Sequence, residues 1–242
     1  MMLELFALII GFIAEIIDGT LGMAYGVTSN SFLLSLGFMP AVASATVHTS
    51  EIFTTLASGI SHLKIGNVDK KLFASLVIPG SITAIIGAYV LVNFPTEIIK
   101  KIIALYLILM GNVIILRALG KNIFFRKINR KVLAGIGGFL DAVGGGGWGP
   151  VVTSTLIANG EDPKKTIGSV NLSEFFVTIT QSATFFLLIG LTNLEIILAF
   201  IIGGLIAAPL AAYLCKKIET KILMIIVGIL IIILNIRTLA MS

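Results

Sequence analysis

Charge is what this sequence has least of: Asp, Glu, Lys and Arg together make up 12% of its 242 residues, against 57% hydrophobic residues. With a mean hydropathy of +1.08, that scarcity excludes a soluble domain of ordinary composition and predicts an integral membrane protein built of helices. Cysteine is almost absent. The single Cys215 excludes an intrachain disulfide and a Cys-based metal cluster, and is read as a small apolar packing residue. Histidine is limited to His48 and His62, which leaves little from which to build a metal site or a catalytic set. No cofactor is expected, and the chain is not read as an enzyme. The formal charge of +5 does not point to nucleic acid, because the 17 Lys and Arg sit in short clusters between apolar segments, where they orient a chain in a bilayer. The opening Met-Met-Leu-Glu-Leu-Phe has no basic n-region and no cleavage site, so it is expected to be retained.

Glycine, by contrast, is plentiful where a helix should run. Residues 141–150 read Asp-Ala-Val-Gly-Gly-Gly-Gly-Trp-Gly-Pro inside otherwise apolar sequence. Each of Gly144 to Gly147 costs roughly 1 kcal/mol in a helix relative to Ala, so a helix arriving through Ile136 and Leu140 should stop, and Pro150 suits the first turn of another. Unwound backbone survives in a membrane only where protein buries it or a wet cavity meets it. The break is therefore a site candidate.

Subtracting 123 from these numbers lands on the first half of the chain: Asp141 on Asp18, Gly145 on Gly22, Trp148 on Tyr25, Gly149 on Gly26, Pro163 on Pro40. The register continues through Asn171 on His48, Ser173 on Ser50 and Glu174 on Glu51; small gaps then bring Tyr213 onto Tyr89 and Arg237 onto Arg117. The chain is a duplication. Paired repeats with interrupted apolar segments at matching positions point to the binding site of a secondary transporter.

Ten apolar segments follow in order, at 3–17, 27–36, 41–61, 72–93, 98–116, 132–143, 151–157, 165–189, 194–214 and 222–239. A full crossing needs about 20 residues, which six of them approach. The other four flank the breaks. Each half is thus expected to be a short broken, re-entrant hairpin followed by three transmembrane helices, about eight helices by hydropathy. The predicted plan is a first repeat at 1–119, a cytoplasmic linker at 120–131 and a second repeat at 132–242, together one transmembrane domain. Three crossings per half make the repeats inverted. Fourteen of the 17 basic residues then fall on the linker's side, against Lys100, Lys101 and Arg237 on the other, so the linker is predicted to be cytoplasmic and both termini external.

The helix after each break carries the chemistry. Ser44, His48, Glu51, Thr55, Ser58 and His62 recur at spacings of four and three and share one face; the second copy has Asn171, Glu174, Thr178 and Gln181, closed by Ile167 and Phe185. A stripe of this kind faces protein or a cavity, not lipid. One reading has it gluing helices together through hydrogen bonds, which suits Ser44, Thr55, Thr178 and His62. The other has it handling substrate, which suits His48, Asn171, Glu51 and Glu174 beside the breaks. Carboxylates also enter the apolar segments at Glu15, Asp18, Glu51, Asp141 and Glu174, with Lys and Arg confined to helix ends. Taken out of water without a cationic partner, a carboxylate favours its neutral form, and proton carriage is the role assigned to Glu51, Glu174, Asp18 and Asp141. Capping of backbone N–H groups freed by the break is an equal reading for the two aspartates.

The segments Gly-Phe-Ile-Ala-Glu-Ile-Ile-Asp-Gly-Thr-Leu-Gly at 11–22 and Gly-Gly-Phe-Leu-Asp-Ala-Val-Gly-Gly-Gly-Gly-Trp-Gly-Pro at 137–150, with Pro163 and Ile-Gly-Ser-Val-Asn at 167–171, resemble the sulfite exporter TauE/SafE family over essentially the whole chain. The first copy has the bulkier Gly-Thr-Leu-Gly-Met-Ala-Tyr-Gly at 19–26 where the family often carries a glycine run. The resemblance implies a multi-pass permease of the cell membrane that moves small sulfur-containing or organic anions such as sulfite and sulfonates, often outward. With no intramembrane Arg or Lys expected near the breaks, the anion would be held by half-helix N-termini at Gly26–Thr28 and Gly149–Val151, with the open backbone of Gly146 and Gly147. His48, Ser50, Asn171 and Ser173 would add hydrogen bonds, and Tyr25 and Trp148 would close the cavity. Glu51 and Glu174 would have to be protonated for an anion to enter, which would couple the two movements. The alternative is a cation transporter or channel using the same carboxylates in ionised form.

Overall fold

The computed structural model describes residues 2–121, 128–215 and 221–241, except for the side chain of Leu223. The described residues form ten helices in chain order: α1 (Met2–Leu21), α2 (Tyr25–Ser35), α3 (Pro40–Lys64), α4 (Lys70–Asn93), α5 (Thr96–Ala118), α6 (Arg130–Gly144), α7 (Trp148–Ala158, wound as a π-helix over Trp148–Thr153), α8 (Pro163–Ile189), α9 (Leu194–Leu214) and α10 (Lys221–Ala240). They correspond one to one with the ten apolar segments. Of these, α4, α5, α8 and α9 are by themselves long and apolar enough to cross a membrane; α3 has the length but carries the polar stripe. Arg126, Lys127, Lys216, Lys217, Met1 and Ser242, used in assigning the two sides, lie outside the described residues.

One segment differs from its expectation. Helix α1 does not stop at Ile17 but runs 20 residues to Leu21, about 30 Å at 1.5 Å per residue. Glu15 and Asp18 lie within its last two turns, both buried, so burial inside the bundle compensates for the polar residues that ended the apolar run in sequence. Its partner α6 has 15 residues.

Local chemistry sets the other boundaries. Asp69, Asn129 and Asp162 each accept a backbone N–H at the head of α4, α6 and α8, as capping residues do, and Pro40 and Pro163 open α3 and α8. Helices α1 and α6 both end on a glycine of positive φ, Gly22 at 67° and Gly145 at 64°, the left-handed geometry in which glycine carries no Cβ penalty.

Packing exchanges the two halves. The first helix of each half lies against the fourth of the other, α1 on α9 and α6 on α4, while α3 meets α8 and α5 meets α10 across the centre. Small residues make the contacts, as between membrane helices. Gly11 sits on the Phe200 backbone and Gly19 on Ala211, so α1 and α9 run the same way; Gly135 meets Thr83 and Gly87 meets Phe139, so α6 and α4 also run together. The start of α4 is tied to the start of α8, with Asp69 N–H donating to Ser169 Oγ at 2.8 Å and Lys165 Nζ to the Gly66 carbonyl at 2.6 Å. At the same end Arg130 pairs with Glu161. At the far end of α8, Asn193 Nδ2 lies 3.5 Å from Thr46 Oγ1.

The two breaks meet at the middle of this frame, backbone to backbone. A Cβ on Gly26 would lie 2.7 Å from Gly146 Cα, and one on Gly149 would lie 2.5 Å from Met23 Cα; these contacts are related by the same shift of 123. At Gly146, where φ is 151°, an added Cβ would come within 2.1 Å of Val27 N. Gly146→Ala should therefore lower the stability of the inserted protein by about 3 kcal/mol, the top of the usual overpacking range. Thermal melting of the detergent-solubilised variant beside the parent measures it, and a melting temperature within one degree of the parent would contradict the contact.

Candidate functional site

Each break is closed by an aspartate on the helix that precedes it. Asp141 Oδ1 accepts from Gly147 N–H at 2.8 Å and Trp148 N–H at 3.0 Å, and Asp18 Oδ1 accepts from Tyr25 N–H at 3.4 Å. These are helix-start N–H groups, so both aspartates act as caps delivered from one helix to the next. The N–H of Gly147, part of the backbone expected to lie open to an anion, is thus already bonded. Asp141 also accepts from Gln181 Nε2 through Oδ2 at 2.8 Å, which ties the break to α8. Next to the first break, Ala24 sits at φ 112°, a conformation costly for a residue with a Cβ. It occupies the position of Gly147, where the second copy uses glycine.

His48 lies over the second break. Its Nε2 is 3.1 Å from the Asp141 carbonyl oxygen and its Nδ1 is 2.6 Å from Glu51 Oε2. A carbonyl only accepts, so Nε2 carries a hydrogen. The short Nδ1–Oε2 contact then holds one proton between the two groups, as imidazolium with carboxylate or as imidazole with carboxylic acid. The ring stacks on Phe185, centroids 6.3 Å apart and planes at 5°. Asp141 Oδ2 is 3.9 Å from His48 Nδ1, and Glu51 Oε1 lies 3.1 Å from where a Cβ of Gly26 would stand. His48, Glu51, Asp141, Gly26 and Gly146 thus form one buried knot.

The symmetric positions are furnished differently. Asn171 Nδ2 donates to Ser58 Oγ at 2.9 Å while its Oδ1 has no partner. Glu174 Oε2 and both oxygens of Glu15 are likewise buried without one. Glu15 has Gly138 as its repeat equivalent, so this carboxylate belongs to one half only.

Other predicted residues are buried but face elsewhere. The Tyr25 hydroxyl reaches Ser50 Oγ at 3.3 Å and the Phe200 carbonyl at 3.4 Å, beside α9. The Trp148 indole donates to the Val170 carbonyl at 3.3 Å and covers Gly80 of α4. The two rings therefore pack on opposite partners and do not close a shared cavity here. Ser50 and Ser173 donate to carbonyls of their own helices. Of the glue residues, Ser44 does join helices, donating to the Ala142 carbonyl at 2.9 Å, and His62 Nε2 meets the Gly19 carbonyl at 2.8 Å. Two residues were missed in sequence. Tyr106 of α5 lies over Gly144 and Gly147, with no signal beyond one hydroxyl in an apolar run. Arg117, counted among loop cations, donates to Met23 Sδ at 3.6 Å and Ser154 Oγ at 3.3 Å, so a guanidinium does stand beside the breaks.

Residues 7–238 match the family model described as Sulfite exporter TauE/SafE. The chain belongs to that family. A probable membrane transporter protein, YtnM, of Bacillus subtilis (strain 168) is 46% identical over 241 residues, which cover 95% of this chain and 80% of the relative. No solved structure matches. The protein is therefore a membrane transporter of the TauE/SafE type, and the buried knot lies at the two breaks around which this family member is folded.

The unequal caps predict unequal losses. Asp141→Ala removes three accepted bonds and should cost about 2 kcal/mol, the top of the capping range, whereas Asp18→Ala removes one long bond and should cost well under half of that. Melting of both variants under one detergent condition measures the order; an equal loss would contradict the cap assignment.

Proposed function

We propose that this protein is a secondary transporter of small sulfur-containing or organic anions such as sulfite or sulfonates, working through two inverted repeats, with its site at the crossing of the breaks and with protons as the coupling ion. The observation that carries the reading is the His48–Glu51 contact over the Asp141-capped break: one proton shared between two buried groups at the point where the repeats cross. All ten residues assigned to the anion are buried, which suits an occluded arrangement that must open to either side. A small anion entering it would meet Glu51 and Glu174, and it is admitted when both are protonated.

Support for inversion comes from helix direction. Helices α4 and α9 start at opposite ends of α8, and each runs alongside the first helix of the other half, so α1 and α6 point opposite ways. The ends grouped by Lys165 with Gly66 and by Arg130 with Glu161 are the basic ones, which suits a cytoplasmic face. Single cysteines at Lys121 and at Glu97, in a Cys215→Ala background, should be labelled from opposite sides of sealed vesicles. Labelling from one side would end the inverted reading.

The cation reading has one observation in its favour, the excess of carboxylates over bases in the knot. The two separate on Glu51→Gln and Glu174→Gln. For a proton-coupled anion carrier, each variant mimics the protonated form: anion binding persists and its dependence on pH flattens, while proton-driven accumulation in liposomes fails. For a cation carrier the same variants lose binding altogether. Uptake of sulfite, methanesulfonate and acetate into liposomes, with and without an imposed pH difference, tests the function itself, and an empty panel for the parent would refute it.

A further inference from the structure

The duplication supplies an internal control for Arg117. Ser154 of α7 and Ser31 of α2 are related by the shift of 123, and each is met by a polar side chain from the last helix of the opposite repeat. Ser31 Oγ accepts from Asn235 Nδ2 of α10 at 2.7 Å. Ser154 Oγ accepts from Arg117 Nη1 of α5 at 3.3 Å. A neutral amide therefore satisfies this serine in one half, from Asn235, two positions before the Arg237 that aligns with Arg117, whereas the other half brings a guanidinium to it.

Its surroundings do not neutralise it. Both contacts of Arg117 run through Nη1, to a hydroxyl and to the thioether of Met23, which is a weak acceptor; no carboxylate pairs with it among the described residues. A cation drawn partly out of water without an ionic partner is costly. Two ordinary explanations fit poorly. A basic residue in a last helical turn complements the helix dipole and snorkels to the interface. Arg237, which aligns with Arg117 and stands in the last turn of α10, is exposed in that manner. Arg117 instead folds inward, half-buried, onto Met23 of the first break and Ser154 of the second half-helix. Beside Ser154, the hydroxyl of Thr153 is fully buried with no partner and packs against Gly22.

We infer that Arg117, with the hydroxyls of Ser154 and Thr153, forms an oxyanion-binding station on the linker side of the crossed breaks. The inference rests on the anion-transport reading above and adds the cation which that reading lacked. A guanidinium presents N–H donors in a planar fork that matches two oxygens of a sulfite, sulfonate or carboxylate group. Met23 and Ser154 belong to opposite repeats, so an anion held here touches both.

The test is the concentration dependence of sulfite and methanesulfonate uptake into liposomes by the parent, Arg117→Asn, Arg117→Lys and Arg237→Asn. Arg117→Asn removes the charge and keeps a polar amide, and it should fold. Its half-saturation concentration should rise roughly 10- to 100-fold, the loss expected for a charge-assisted hydrogen bond, with most of the maximal rate retained. Arg117→Lys keeps the charge but not the fork and should fall between; Arg237→Asn should match the parent. A parental half-saturation in Arg117→Asn overturns the station, as does an equal rise in Arg237→Asn, which would mark a general surface-charge effect. Should Arg117→Asn not reach the membrane, a parental value in Arg117→Lys overturns it instead. A parent that moves none of the anions refutes the transport reading and this one with it, whereas a working parent with indifferent Arg117 variants refutes this one alone.

Discussion

An interrupted helix inside a bilayer has N–H groups with no water to meet them, and each unsatisfied group costs several kcal/mol. Everything at the centre of this protein follows from how that cost is met. Asp18 and Asp141 close the two breaks from within the preceding helices, and the second aspartate carries two further duties. Its side chain holds Gln181 of α8, and its backbone carbonyl holds His48 of α3. The element that stabilises the break is therefore the one that positions the proton-sharing pair. The His48–Glu51 pair is thus one bond from the cap.

Backbone contact between the breaks adds the second constraint. Gly26 against Gly146 and Gly149 against Gly22 leave no room for side chains, which explains the glycines more fully than conformational freedom does. In sequence the run at 144–147 suggested an opening for substrate. In the structure Gly146 meets the main chain of the first break, while Gly144 and Gly147 lie under Tyr106 and Gly145 lies against Asn30. The first copy keeps a Cβ at Leu21, Met23 and Ala24 in the stretch that the second copy builds from glycine, and of these Ala24 is strained at φ 112°.

Much of the frame was legible before any coordinates. A shift of 123 located both breaks, the ten apolar segments became the ten helices, and the spacing of four and three on α3 placed Ser44, His48, Glu51, Thr55, Ser58 and His62 on one buried face, because helical periodicity is a local property that sequence carries directly. What stayed hidden depends on which helices become neighbours. Whether Tyr25 and Trp148 share a cavity is decided by α9 and α4, which pack on them from opposite halves. Arg117 looked like a loop cation since its number lies at a helix end; only the approach of α5 to α7 turns it inward. The length of α1 was underestimated for a related reason, as burial of Glu15 and Asp18 against other helices removes the lipid exposure that their polarity seemed to forbid.

The two halves share a frame but not a chemistry, and the differences lie along one path. Under the repeat, His48 aligns with Asn171, Glu15 with Gly138, and His62 with Phe185. On α3 the polar face continues past Ser58 to His62, whose Nδ1 meets Asn67 Nδ2 at 3.2 Å in the loop before α4. On α8 it ends at Phe185, which stacks on His48. The shared proton of His48 and Glu51 thus has hydrogen-bonding side chains on the side of the α3–α4 loop and an aromatic ring on the other. The lining of the crossing is therefore chemically unequal on its two sides, and the inequality is written in a few substitutions on an otherwise duplicated chain.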